Sequence, residues 1–149
     1  MASIEESADS AAPRYLVARV GGQWVAWELS VVREIIPARA VTRLPGAPPW
    51  VLGLLNLRGA VVTVMDLAVR LGLPGAEAQS VIVLELDERL LGVRVDAVES
   101  VALAEDARVE PVEAARAAEG LIAGMVRLEN GTAFLVDAGA LVRSVLSAA

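Results

Sequence analysis

Short runs in which apolar residues predominate occur in pairs along this chain, and each pair predicts a β-hairpin. The first pair, RYLVARV and QWVAWEL, is joined at Gly21-Gly22, and glycines readily adopt the positive φ of a tight turn. The second pair lies in LLNLRGAVVTVMD and turns at Arg58-Gly59. These two segments predict antiparallel hairpins near the start and in the middle of the chain.

Two further hairpins are predicted in the second half of the chain. In SVIVLELDERLLGVRVD, apolar residues alternate with polar or small ones, which predicts one inward-facing side. These apolar positions are Ile82, Leu84, Leu86, Leu91, Val93 and Val95. The fourth hairpin, in IAGMVRLENGTAFLVD, turns at Asn130-Gly131, a strong signal for a tight turn.

The predicted elements repeat along the chain. Gly53, Leu57, Gly59 and Asp66 are matched by Gly124, Leu128, Gly131 and Asp137. Each aspartate is placed to cap a short helix. The repeat predicts two similar β-rich halves, about 14–73 and 80–146. Small closed barrels would hide the strand edges, and the halves should pack together because each alone is marginal in size.

A second repeated feature follows the first and third hairpins. Leu29, Val32 and Ile35 are matched by Val95, Val98 and Val101, and successive apolar positions in each set are three residues apart in number. This spacing does not suit an alternating strand, so the two segments are predicted to turn or to form short helical pieces.

Composition indicates a packed globular protein, because 56% of the 149 residues are hydrophobic and 21% are charged. No apolar run reaches the roughly 18 residues of a membrane span. Residues 1–13, MASIEESADSAAP, predict a disordered acidic arm rather than a secretory signal. The absence of cysteine fits a cytoplasmic location.

The same composition removes most kinds of catalytic chemistry. The chain has no histidine, lysine or cysteine, which excludes the usual proton shuttle, Schiff-base chemistry and thiolate nucleophiles. A net charge of −6 argues against a nucleic-acid partner. We therefore expect no enzymatic activity, no metal and no cofactor.

From Tyr15 to Leu146 the chain resembles the CheW-like family, the coupling proteins of bacterial chemosensory arrays. The motifs that carry the resemblance are WVAWELSVVREII, VTRLPGAPPWVLGLLNLRGAVVTVMDLAVRLGL, LGVRVDAVESV and IAGMVRLENGTAFLVD. Asn-Leu-Arg-Gly, preceded by Gly-x-x and followed by an apolar run ending in Asp-Leu, is the most specific of their features.

The resemblance implies a mainly β fold: two intertwined five-stranded SH3-like barrels with short helices, in one domain over residues 14–149. It implies an adaptor that joins the cytoplasmic tip of a methyl-accepting receptor to the regulatory domain of a CheA-type histidine kinase. The expected location is the cytoplasm, at membrane-associated or cytoplasmic receptor arrays, without membrane insertion. No kinase segment accompanies the domain in this sequence, so a stand-alone adaptor is expected.

The resemblance also implies two sites. The first is an apolar receptor-binding groove formed by Leu16, Leu29, Val32, Ile35, Val98 and Val101. The second is a structural or regulatory salt bridge between Glu34 and Arg58. From the residues alone, Arg58 is equally a simple turn residue, and each apolar residue of the groove is equally an ordinary core residue.

Two other functions remain open at this stage. One is a CheW-like variant that binds receptors or sister adaptors without activating the kinase. The other is a carboxylate enzyme on a β-barrel scaffold, which the sequence disfavours because it shows no convergent acid–base set.

Overall fold

The structure is a computed structural model that describes residues 14–74, 79–103, 109–110, 120–128 and 131–148. The acidic arm predicted for residues 1–13 lies outside the described residues, and so does Asn130 of the fourth predicted turn.

The described residues form eleven strands, one 3₁₀ turn and two α-helices. In chain order they are β1 (Arg14–Val20), β2 (Gln23–Glu28), the 3₁₀ turn (Leu29–Val31), β3 (Val32–Pro37), β4 (Val51–Leu57), β5 (Ala60–Asp66), α1 (Leu67–Leu71), β6 (Ser80–Leu86), β7 (Arg89–Val95), β8 (Ala97–Leu103), β9 (Val109–Glu110), β10 (Ile122–Leu128), β11 (Gly131–Val136) and α2 (Ala138–Ala148). All four predicted hairpins are present, as β1–β2, β4–β5, β6–β7 and β10–β11.

These strands form two sheets, and each sheet takes strands from both halves of the sequence. The first sheet has the order β8-β1-β2-β11-β10-β9, and the second has the order β3-β6-β7-β5-β4. Hairpin β1–β2 thus lies among strands of the second half, and hairpin β6–β7 lies among strands of the first. The exchange of these hairpins makes the two sheets interdependent.

The pairing pattern of one sheet is repeated in the other. Strand β5 runs parallel to β7, with Thr63 opposite Leu91, and β11 runs parallel to β2, with Phe134 opposite Val25. The remaining pairs between strands are antiparallel. The sequence repeat is therefore a repeat of strand pairing as well as of composition.

Both predicted helix caps are confirmed. Asp66 Oδ1 accepts a hydrogen bond from the Val69 backbone N–H at 3.3 Å, at the start of α1. Asp137 Oδ1 accepts one from the Ala140 backbone N–H at 3.0 Å, at the start of α2. Each carboxylate satisfies one of the amides that the first turn of a helix leaves unpaired.

The largest buried cluster, here called the shared core, lies between the two sheets. It takes Leu16 and Trp27 from the first sheet, Leu84 from the second, Leu67 from α1 and Leu141 from α2. Burying these side chains supplies most of the apolar driving force and requires both sheets at once.

Each sheet also has a smaller core of its own. In the second sheet this core includes Val62, Val64, Val81 and Val83, and in the first it includes Val17 and Val126 with their neighbours. The prediction that hairpin β6–β7 has a single inward face was wrong. Val81 and Val83 enter the small core, because β6 is an internal strand covered on both of its faces.

Candidate functional site

The candidate site lies on β3 and β8, which are edge strands of the second and first sheet respectively. The repeat makes these strands equivalent, and each exposes a large apolar side chain at the same position. Ile35 on β3 is 44% exposed, and Val101 on β8 is 53% exposed. Exposed aliphatic side chains at repeated positions on two edges are candidate contact points for a partner.

A β-bulge in each strand explains the three-residue spacing of the predicted groove residues. In β3, Val32 lies opposite Leu84 but Glu34 lies opposite Val83, so Arg33 is an extra residue. The extra residue returns Ile35 to the same face of the strand as Val32. The prediction of a turn or a short helix was right for Leu29–Val31, which is a 3₁₀ turn, and wrong for β3.

Strand β8 has the matching bulge. Val98 lies opposite Ala18 and Ser100 lies opposite Val17, which leaves Glu99 as the extra residue. Val98 and Val101 therefore share a face, and the predicted helical piece at this position was also wrong.

The predicted groove residues lie at different depths. Leu16 is 1% exposed and belongs to the shared core, directly opposite Val101 on the neighbouring strand. Leu29, Val32 and Val98 are half-buried and pack against the same core. Leu16 thus supports the surface from below, and Leu29, Val32 and Val98 connect it to the exposed Ile35 and Val101.

The 3₁₀ turn sits at the junction of the two sheets. It packs against β1 of the first sheet and β6 of the second, and it leads directly into β3. The junction is therefore held by the shared core on one side and carries the two edge strands on the other.

Glu34 and Arg58 are in contact through both terminal nitrogens of the guanidinium and both oxygens of the carboxylate. Arg58 Nη1 donates to Glu34 Oε2 at 3.2 Å, and Arg58 Nη2 lies 3.2 Å from Glu34 Oε1. This paired geometry fixes the orientation of both side chains. The arginine side chain is 78% exposed and the glutamate 19%, so the pair forms part of the surface.

The turn that carries Arg58 is held in a left-handed conformation. Arg58 has φ 52° and Gly59 has φ 87°, the signature of a type I′ hairpin turn. The Gly59 backbone N–H donates to Asn56 Oδ1 at 3.1 Å, which stabilises the turn. The turn therefore presents the arginine towards β3 as well as reversing the chain.

Two ion pairs at the bulges were not predicted. Arg19 Nη2 lies 2.8 Å from Glu99 Oε1, and Arg33 Nη1 lies 3.2 Å from Glu85 Oε2. The repeat does show a charge inversion, because Arg19 is in register with Glu85 and Arg33 with Glu99. The contacts themselves depend on which strands are neighbours, and the repeat alone does not give that.

The site offers apolar contacts and ion pairs rather than acid–base chemistry. Across the described ranges, no cluster of three or more metal-binding side chains occurs.

Tyr15 is buried in the small core of the first sheet, and burial raises the pKa of its phenol, with a further contribution from Glu28. None of the helices in those ranges combines the length and the hydropathy needed to cross a membrane.

Comparison with known proteins gives the family. The family model for the CheW-like domain matches residues 14–146. The chemotaxis protein CheW of Rhizobium meliloti (strain 1021) is 39% identical over 102 residues, which span 66% of this chain and 66% of that relative. The chemotaxis protein CheW of Klebsiella aerogenes is 32% identical over 135 residues, which span 87% of this chain and 81% of that relative.

A solved structure gives the fold. The scaffolding protein TtCheW of Thermoanaerobacter tengcongensis has a TM-score of 0.73 and 20% identity, covering 85% of each chain. The predicted fold class is confirmed: the protein is mainly β, with two SH3-like barrels built from the two sheets. The first sheet adds the two-residue strand β9 to the five strands predicted. The chain belongs to the CheW-like family.

Proposed function

We propose that this protein is a chemosensory adaptor that couples methyl-accepting receptors to a CheA-type histidine kinase. Membership of the CheW-like family supports the role. The structural observation that carries it is the pair of exposed aliphatic side chains, Ile35 and Val101, at equivalent positions on two edge strands. The protein acts inside the cell at receptor arrays, and it does so without catalysing a reaction.

The receptor surface consists of five of the predicted groove residues at the junction of the two sheets, with the sixth, Leu16, buried beneath them. A receptor tip is a helical hairpin, and an amphipathic helix binds by placing its apolar face against such a surface. Ile35 and Val101 supply exposed contact area, and the half-buried Val32 and Val98 supply a floor that the shared core keeps rigid. Burial of apolar area gives affinity, and the charged side chains around it set the register of the helix.

The Glu34–Arg58 pair belongs to the rim of this surface. Glu34 lies between the bulge of β3 and Ile35, so the ion pair connects the β4–β5 turn to the edge strand. We assign the pair a role in assembly rather than in folding, because a largely exposed ion pair contributes little to stability.

The bridging role is tested by sedimentation with its two partners. The wild-type chain is mixed with a receptor signalling tip, with a kinase regulatory domain, and with both. Binding to each alone, and a ternary complex with both, is the expected result. Binding to the receptor without kinase binding or activation would instead identify the non-activating variant of this family, and binding to neither partner would overturn the proposal.

The location of the receptor surface is tested by placing a charge on it. Ile35→Asp and Val101→Asp should each reduce receptor binding at least tenfold, because a buried carboxylate facing an apolar helix is strongly unfavourable. Val69→Asp is the matched control, since Val69 is 45% exposed, close to Ile35 in exposure, and lies on α1 rather than on either edge strand. Equal loss of binding in all three variants, or normal binding in the first two, would show that the surface lies elsewhere.

A further inference from the structure

The two bulges carry ion pairs that connect each edge strand to its neighbour. Glu99, the extra residue of β8, pairs with Arg19 on β1 at 2.8 Å. Arg33, the extra residue of β3, pairs with Glu85 on β6 at 3.2 Å. Each of these neighbouring strands comes from the other half of the sequence.

The sequence repeat makes the two ion pairs equivalent, but each position that holds arginine in one pair holds glutamate in the other. Arg19 on β1 occupies the position of Glu85 on β6, and Arg33 on β3 occupies the position of Glu99 on β8. The first half of the repeat therefore has arginine at both positions, and the second half has glutamate at both.

This arrangement distinguishes the observed pairing from the alternative in which each half closes on itself. If β3 paired with β1 of its own half in the same register, the Arg33 side chain would meet Arg19. If β8 paired with β6, the Glu99 side chain would meet Glu85. Like charges placed opposite each other on neighbouring strands are destabilising, whereas the observed pairing matches opposite charges.

The apolar residues discriminate much less between the two arrangements. In the observed register Val32 and Ile35 lie opposite Leu84 and Ile82. In the alternative, the repeat would place Ala18 and Leu16 at those positions, and these are also buried apolar residues. Backbone hydrogen bonds are equally available in either case.

We propose that Arg19, Arg33, Glu85 and Glu99 select the exchange of hairpins between the two halves, and so position the edge strands that carry the receptor surface. The second part of this proposal rests on the proposed function, and the first part does not. The four residues are positioning residues: they set which strands are neighbours and hold the bulges that bring the apolar side chains to one face.

Two charge-swapped variants test whether charge decides which strands pair. Both keep the two observed ion pairs, and they differ only in the charges that would meet in the alternative pairing. Arg19→Glu with Glu99→Arg keeps both observed ion pairs but makes the alternative pairing attractive. Adding Arg33→Glu and Glu85→Arg keeps both observed ion pairs and restores the like-charge repulsion in the alternative. The fourfold variant is thus the matched control for the twofold variant.

Engineered cysteines report which pairing is present, because the chain has no cysteine of its own. Pro37 lies opposite Ser80 in the observed register, and the repeat would place Arg14 there in the alternative. Pro37→Cys with Ser80→Cys therefore reports the observed pairing, and Pro37→Cys with Arg14→Cys reports the alternative. Each pair is oxidised during refolding at low protein concentration, and the intramolecular disulfide is quantified.

The twofold variant should increase the alternative crosslink about tenfold over wild type and lose receptor binding in proportion, whereas the fourfold variant should match wild type in both. If the twofold variant fails to fold cooperatively while the fourfold variant folds normally, the proposal is also supported, because only the twofold variant makes the two pairings compete. The proposal is overturned if both variants behave alike, whether both resemble wild type or both are impaired. A wild-type chain that binds no receptor would remove the proposed function and leave the crosslinking result intact.

Discussion

The two sheets share one plan of strand pairing but display different charges. Their parallel contacts, bulges and hairpins occupy equivalent places, and their buried positions are apolar in both. At several surface positions, however, a residue of one sheet is replaced by one of opposite charge in the other. These pairs are Arg19 and Glu85, Glu28 and Arg94, and Glu99 and Arg33. The comparison shows that apolar pattern specifies the barrel, while charge distinguishes one barrel from the other.

The same contrast appears in two open cavities. A cavity of about 300 Å³ is bounded by Leu52, Arg43 and Arg94, and one of about 400 Å³ is bounded by Ala123 and Glu28 with their neighbours. Leu52 and Ala123 are equivalent in the repeat, yet one cavity presents arginine and the other carboxylate. The two cavities thus include equivalent positions of the repeat but present opposite charges.

The largest expected effect comes from the core that the two sheets share. Leu16→Ala and Ile82→Ala remove fully buried side chains at equivalent positions, and each should lower the free energy of unfolding by about 2–5 kcal/mol. Because each sheet contains strands from both halves, both variants should still unfold in one transition. Denaturant titration followed by fluorescence and by circular dichroism tests this expectation, and two separate transitions would show that the halves are independent.

A smaller effect is expected at the Glu34–Arg58 pair, which the first sheet lacks because Ser100 occupies the position of Glu34. Glu34→Gln and Arg58→Gln should each change the free energy of unfolding by at most about 1 kcal/mol. Receptor or kinase binding should fall more clearly, and the two substitutions should not be additive. A double-mutant cycle on binding measures their coupling, and additive effects would contradict a role as a pair.

The smallest effect appears only at high pH and only in the first sheet, where Tyr15 occupies the position of Val81. Burial first, and Glu28 second, raise the pKa of the Tyr15 phenol. A raised pKa means that the unfolded chain releases this proton first, so stability is full below about pH 10 and falls as the pH rises above it. Tyr15 is the single tyrosine, and the chain has no lysine, histidine or cysteine to titrate there.

Tyr15→Phe is the matching variant. The wild-type free energy of unfolding should decline as the pH rises above about 10, and the variant should lose most of that decline. Equal pH profiles for the two proteins would show that the buried phenol is not the source.

Local features of the fold were predictable from the sequence, and long-range pairing was not. Gly21-Gly22 and Arg58-Gly59 sit at observed turns, and Asp66 and Asp137 cap observed helices, because these residues act through neighbours in the chain. The exchange of hairpins depends on which of two similar partners each strand meets. Because β1 and β6 have similar apolar patterns, these patterns could not show which of the two strands pairs with β3 and which with β8.

The candidate site shows the same limit. The three-residue spacing of Val32 and Ile35 predicts a turn, whereas the structure has a bulge, because an inserted residue and a helical turn give the same local spacing. The contact between Glu34 and Arg58 joins residues distant in the chain, and the family resemblance rather than the residue pattern suggested it. The bulge ion pairs join residues of different halves, so they depend on the same long-range pairing of strands.

The most direct test of the account is hydrogen–deuterium exchange of the full chain with and without a receptor signalling tip. We expect slower exchange on binding in both edge strands, Val32–Pro37 and Ala97–Leu103, and no change in Leu67–Leu71, because one partner contacts the two equivalent edges together. Protection of only one edge strand, or protection centred on Leu67–Leu71, would contradict the claim that the two barrels form one receptor surface.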